Sequence, residues 1–305
     1  EPIKQGAAAL RKWLIDSEPR HIDAFMQFAD RAYRRPLASG EKDELLGFYR
    51  KLREQELSHE EAVRLTLARI LVAPAFLYRI EKPGSGLAAG PVNDRELATR
   101  LSYFLWSSMP DAELRSVAEA GKLHEPDVLS AQTKRMLRDP RMRRLATEFG
   151  CAWLHIHGFN ELNEKSDRHF PTFLPLRGEM YEETIRFFTD FFQNDRSVLS
   201  ILDADHTFLN EALAKHYGIP GVTGAEWRRV SGIKKFSRGG VLGHATTLAK
   251  QSGASRTSPI LRGNWVAEVL LGDKLPRPPK DVPALPEDEA NEKLTMRQLT
   301  EKHST

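Results

Sequence analysis

Ser258-Pro259 reads as a helix start set between two arginines, Arg256 and Arg262, and this combination is the strongest candidate for chemistry in the 305-residue chain. Proline suits a first helical position, because its fixed φ matches the helix and the amide hydrogen it lacks would have no partner there. Ser258 is then the N-cap. The free amides of a first turn and the helix dipole favour negative charge, and the two guanidinium groups add charge-assisted hydrogen bonds. The expected guest is an anion such as a carboxylate, sulfate or phosphate, held by Arg256, Ser258 and Arg262. The competing expectation is that both arginines pair with local carboxylates such as Glu268. Leu261, Trp265 and Val269 recur at steps of four, which places Trp265 in the core.

Other constellations carry less. His155, His157 and His169 with Asp167 are of the right types for a mixed nitrogen and oxygen metal site. They lack the His-x-x-x-His spacing that sets two ligands on one helix face, and no metal is expected. Asp203, Asp205 and His206 precede an expected helix, where carboxylates suit capping. Glu179, Glu182 and Glu183 lie three and four apart on an aromatic-rich helix. A solvated face is expected of them, the alternative being an inward acid or base. No nucleophile elbow, Walker loop or dinucleotide fingerprint is present, and catalytic residues stay unassigned. A single cysteine, Cys151, excludes an internal disulfide, a thiolate zinc cluster and a Cys-x-x-Cys-His haem attachment within these residues, and reads as a small buried hydrophobe.

The elements that must position these groups are helical. Apolar residues follow the helical period almost throughout, so the expected fold is all-α, a multi-helix bundle array with at most one short strand or hairpin. Expected helices cover 3–15, 22–34, 39–52 and 58–71, the last opened by the capping box Ser58 with Glu61. Asn93 with Glu96 opens another, aligning Leu97, Leu101, Phe104 and Leu105. Further helices are expected at 141–156, 176–193, 207–217, 241–250, 259–271 and 294–302, with one short strand near 227–230. Three glycines and two prolines in residues 83–92 mark a linker. The domain boundaries read from this are 1–82, an N-terminal bundle, 93–222, a central helical domain, and 236–305, a C-terminal module.

Hydrophobic residues at 40% support a real core. Lysine plus arginine, 45, nearly balances aspartate plus glutamate, 42, and a net charge of +3 argues against a dedicated nucleic-acid binder. No stretch approaches the roughly 20 apolar residues of a membrane span. The start Glu1-Pro2-Ile3 reads as a piece of a longer polypeptide.

Several segments, in order along most of the chain, resemble the planctomycete-type multidomain c-type cytochrome proteins. They are 32–37 (Ala-Tyr-Arg-Arg-Pro-Leu), 71–79 (Leu-Val-Ala-Pro-Ala-Phe-Leu-Tyr-Arg) and 101–111 (Leu-Ser-Tyr-Phe-Leu-Trp-Ser-Ser-Met-Pro-Asp). Phe208-Leu209-Asn210-Glu211, His216-Tyr217-Gly218-Ile219, Arg238-Gly239-Gly240 and the whole of 256–283 continue the likeness. The resemblance implies consecutive domains of unknown function leading to a Cys-x-x-Cys-His haem domain. It also implies export to the periplasm or cell envelope, and electron transfer or an oxidation coupled to it, with carbohydrate as the candidate substrate. The haem c belongs to the full-length protein and not to this chain, the adjacent haem-c domain is the expected partner, and Arg256 and Arg262 are the expected contacts of its propionates. The alternative is a non-catalytic scaffold presenting cytochrome and carbohydrate-binding modules. Two departures stand out: no haem ligand set is visible, and His206 occupies a position where similar sequences tend to have Tyr.

Overall fold

The computed structural model describes residues 2–81, 90–276, 295, 297, 298 and 301. Most of the expected linker, the proline-rich run from 277 onward and most of the expected closing helix lie outside the described residues. The architecture is all-α apart from a two-stranded antiparallel sheet. The chain divides into two compact units, Glu1–Met136 and Leu137–Thr305. Among the described residues no helix is long and apolar enough to cross a membrane.

Unit 1 opens with α1 (Pro2–Ala32), a single helix where two were expected. Pro19 lies inside it and lacks the amide that would meet the carbonyl of Ile15, while Ser17 Oγ donates to Leu14 O at 2.7 Å in the same turn. Its C-terminal half packs Phe25 and Ala29, with Tyr33 just past its end, against Leu45, Tyr49 and Leu52 of α2 (Ser39–Glu54) and Ile70 of α3 (His59–Leu71). The capping box at the start of α3 forms as expected: Ser58 Oγ accepts the Glu61 amide and the Glu61 carboxylate accepts the Ser58 amide.

Arg34 ties this unit together. It adopts a left-handed φ of 59°, and its Nη2 donates to the carbonyls of Ala75 at 2.7 Å, Phe76 at 3.2 Å and Tyr78 at 2.9 Å, around the short α4 (Pro74–Leu77). A guanidinium meeting the last carbonyls of a helix satisfies acceptors that have no intrahelical donor. Arg34→Ala is therefore expected to destabilise unit 1 by roughly 2 kcal/mol in urea unfolding. Lysine should recover only part, since it lacks the second nitrogen, Nη1, that donates to Ala32 O at 3.0 Å. An alanine variant as stable as the parent would refute this.

In α5 (Asp94–Trp106) the buried stripe is Ala98, Ser102, Leu105 and Trp106, while Phe104 stands exposed, contrary to the expected alignment. The helix is rotated because α6 (Ala112–Glu119), with buried Leu114 and Ala118, covers that side. Trp106 Nε1 donates to Met136 O at 3.0 Å within α7 (Pro126–Arg138).

Unit 2 is built on the long helix α9 (Phe173–Gln193). Against it packs the segment expected as one helix over 141–156. It is instead a 3₁₀ turn, α8 (Arg143–Leu145) and a π segment, Ala146–Cys151. Gly150 allows the close approach: a β-carbon there would sit 2.8 Å from Phe188 Cγ. After α10 (Ser200–Asp203) comes β1 (His206–Leu209), which pairs with β2 (Arg228–Ser231), His206 opposite Ser231 and Leu209 opposite Arg228. β2 matches the strand expected near 227–230, whereas its partner β1 takes the residues where the helical period predicts the start of a helix. That helix, α11 (Glu211–Tyr217), starts later because Asn210 Oδ1 takes the Leu213 amide at 3.0 Å, and β-branched and aromatic Thr207 and Phe208 suit a strand. Asp205 does not cap α11; its Oδ1 accepts the Lys234 amide at 2.9 Å. Gly240, at φ 53°, passes so close to the end of α10 that a β-carbon would meet Leu202 O at 2.3 Å. The unit's described part ends with α12 (Ala245–Lys250) and α13 (Pro259–Trp265), which continues as a π turn over Val266–Leu271 and is closed by Gly272 at φ 75°.

Candidate functional site

The start of α13 forms as its residues dictate: Ser258 Oγ accepts the Leu261 amide at 3.2 Å. That bond occupies the serine in holding its own helix. Trp265 is buried and its Nε1 donates to Leu154 O at 3.0 Å, which places it in the core. Arg256 is half-buried and has an interaction of its own within the fold. Arg262 does not pair with Glu268 and makes no ion pair among the described residues. Its Nη2 reaches Leu248 O at 3.3 Å and Ser252 Oγ at 3.4 Å, both long, and its Nε is buried without a partner. Burial alone lowers the pKa of this guanidinium.

Arg262 lines a cavity of about 200 Å³ in unit 2. Three further basic side chains reach its wall from separate segments: Lys165, His216 at the end of α11, and Arg238. None of the lining residues is an aspartate or a glutamate. Lys165 is buried, with Nζ donating to Ser252 O at 2.7 Å and Gly253 O at 3.1 Å. Its pKa is lowered, first by burial; Glu164 opposes this and Lys250 adds to it. Arg238 lies 4.0 Å from the Tyr217 ring centroid and donates to Gly243 O at 2.9 Å. His216 is an exposed residue whose pKa is lowered, first by partial desolvation of the ring and then by Arg238. Phe170, Phe173, Met180, Leu248 and two alanines supply an apolar remainder. The arrangement can hold a negative group at one end and an apolar body at the other.

Beside the cavity runs a buried polar network centred on Glu183, for which a solvated face is the expectation from sequence. Glu183 is 1% exposed. Thr207 Oγ1 donates to its Oε1 at 2.6 Å and Tyr217 Oη to its Oε2 at 2.5 Å. Tyr217 Oη in turn accepts the Ala245 amide at 3.0 Å. Burial pushes the Glu183 carboxyl up to about 7, against the hydrogen bonds from Thr207 and Tyr217 and the nearby Arg238. A signal for this burial existed in the sequence: Met180 and Phe187, one turn before and after on the same helix face, are core residues. His244 is likewise buried, its Nδ1 3.0 Å from Thr184 Oγ1 and its Nε2 without a partner. Burial pushes it down to about 3, with Arg238 and then His206 adding to the effect. Glu182, by contrast, is taken by Arg143 and Arg186.

The remaining candidates do not gather. His155 is exposed at a left-handed turn, His157 Nε2 lies 3.7 Å from Glu148, and His169 Nδ1 sits 3.1 Å from Ser166 Oγ. Among the described residues no group of three or more His, Cys, Asp or Glu side chains converges as a metal site. His206 is buried in β1 with Nε2 3.3 Å from Asp190 Oδ2. Cys151 is fully buried and burial pushes its thiol up to about 12, so it is inert packing.

Comparison with curated proteins gives no match, and comparison with solved structures gives none. Family models do match. Residues 23–81 match PSD5, a protein of unknown function (DUF1595), residues 92–219 match PSD4, a protein of unknown function (DUF1592), and residues 238–305 match PSCyt3, a protein of unknown function (DUF1588). The chain therefore carries, in succession, the DUF1595, DUF1592 and DUF1588 domains, the set of domains of unknown function associated with planctomycete cytochrome c proteins.

Proposed function

We propose that this chain is the helical body of an exported multidomain haem-c protein that supports electron transfer, or an oxidation coupled to it, with carbohydrate as the candidate substrate. The three-domain succession supports the haem-c context. The observation that carries a ligand-handling role is the cavity walled by Lys165, His216, Arg238 and Arg262, side chains converging from separate segments. Haem c itself does not fit within this chain: two thioether bonds need two cysteines, and the single Cys151 is buried. The cavity is also below the roughly 300–1,000 Å³ of ordinary cofactor pockets. What the residues do offer a haem domain elsewhere in the polypeptide is a cationic wall at Arg262, suited to a propionate.

The scaffold reading draws on a different observation. Both oxygens of Glu183, the one deeply buried acid of unit 2's described residues, are occupied by the protein's own hydroxyls, so Glu183 is not open to act as a general acid. The two readings separate in the longer polypeptide, produced with c-type haem maturation in a periplasm. A covalently bound c-type spectrum whose midpoint potential shifts on Arg262→Ala supports the first. A normal spectrum with an unmoved potential supports the scaffold, and a polypeptide that is neither exported nor haem-loaded would falsify the context itself.

A further inference from the structure

We infer that the cavity of unit 2 is a binding site for a small amphipathic carboxylic acid, its carboxylate held by Arg262 and Lys165 and its apolar body seated against Phe170 and Met180. The inference rests on the cavity and not on the haem-c reading.

Buried cations are normally paired, because removing charge from water without a counter-charge is costly. Here Lys165, which is buried, and Arg238 and Arg262, which are half-buried, wall one cavity of about 200 Å³, and no acidic side chain lines it. None of the three makes an ion pair among the described residues. The donors are also incompletely used. An ammonium has three N–H groups and Lys165 spends two on backbone carbonyls. Arg262 has five, of which its two Nη2 contacts are long and its buried Nε–H has no acceptor. A carboxylate supplies what both lack: one negative charge and two oxygens able to accept from two cations.

The other half of the wall sets the class of ligand further. Aromatic and aliphatic side chains dominate it, so a fully hydrated inorganic anion would leave that surface unfilled. A cavity near 150 Å³ lined by apolar groups holds a benzene-sized molecule. The size here matches a benzoate-like or short branched acid. His216, its pKa lowered, adds a polar contact without a fourth fixed charge.

The test uses the 305-residue chain with benzoate as probe, benzamide as its neutral isostere and sulfate as an inorganic anion, read by titration calorimetry at neutral pH. Saturable benzoate binding to one site is expected, with benzamide weaker by about tenfold or more, as for loss of a charge-assisted hydrogen bond. Arg262→Gln and Lys165→Met should each weaken benzoate by a similar factor while leaving benzamide unchanged. Sulfate should compete only weakly. Should Arg262→Gln fail to fold, Arg262→Lys and the benzoate-to-benzamide ratio of the unaltered protein carry the decision. No saturable benzoate binding, equal affinity for benzamide, or sulfate competing as well as benzoate each overturns the assignment.

Discussion

Replacing Glu183 with glutamine should change the stability of unit 2 by an amount that depends on pH, with the variant gaining on the parent as pH rises from 4.5 to 7. The carboxyl is pushed from its ordinary 4.5 up to about 7 by burial, so over that window the folded chain holds a proton that the unfolded chain has released. Stability linked to that proton is fully present below pH 4.5 and is lost as pH rises to 7, a swing of ~3 kcal/mol. His244 works in the opposite sense. Burial pushes it from 6.5 down to about 3, so below pH 6.5 the unfolded chain binds a proton that the fold refuses. Its penalty grows as pH falls and reaches ~5 kcal/mol near pH 3. Between pH 4.5 and 6.5 the two slopes oppose, one proton against one proton.

The consequence is measurable. Glu183→Gln leaves the histidine slope uncompensated, so the variant should be more acid-sensitive than the parent. His244→Gln leaves the glutamate slope, so that variant should resist acid and lose stability towards neutral pH. Urea unfolding of unit 2 by near-ultraviolet circular dichroism at several pH values decides the matter. Curves for parent and Glu183→Gln that run parallel from pH 4.5 to 7 would show that the carboxylate is not held in its protonated form.

Trp265→Ala is the second large effect, an expected loss of roughly 3–5 kcal/mol, the usual range for removing a large aromatic from a core. Trp265 is 4% exposed and belongs to the same cluster as Phe187, Phe188 and Leu213. Two separate contributions are being removed. One is apolar packing; the other is the indole N–H that satisfies Leu154 O, a carbonyl on a residue with no solvent exposure. Trp265→Phe separates them, since phenylalanine refills much of the volume but leaves the carbonyl without its donor. Its expected cost is roughly 1–3 kcal/mol. A phenylalanine variant as stable as the parent would mean that the carbonyl finds another donor, and the clamp between α13 and the Leu154 segment would then be packing alone.

What could be read in the residues alone was local. The capping pairs Ser58 with Glu61 and Asn93 with Glu96, the Ser258-Pro259 start, the Gly218 and Gly272 stops and the all-α class all appear in the structure as read. Each depends on groups within one turn of one another, so the chain itself brings the partners together. Tertiary structure decided the rest. β1 exists because β2, some twenty residues on, supplies its hydrogen bonds; Thr207 and Phe208 suit a strand but four residues are too few to fix one without that partner. Glu183 is an inward acid because Thr207 and Tyr217, distant in sequence, arrive to satisfy its oxygens. Arg262 faces a cavity instead of pairing with Glu268, although the residues alone slightly favour that pairing for either arginine taken singly. Burial and charge compensation are settled by which surfaces meet, and that is a property of the assembled fold, not of spacing along one helix.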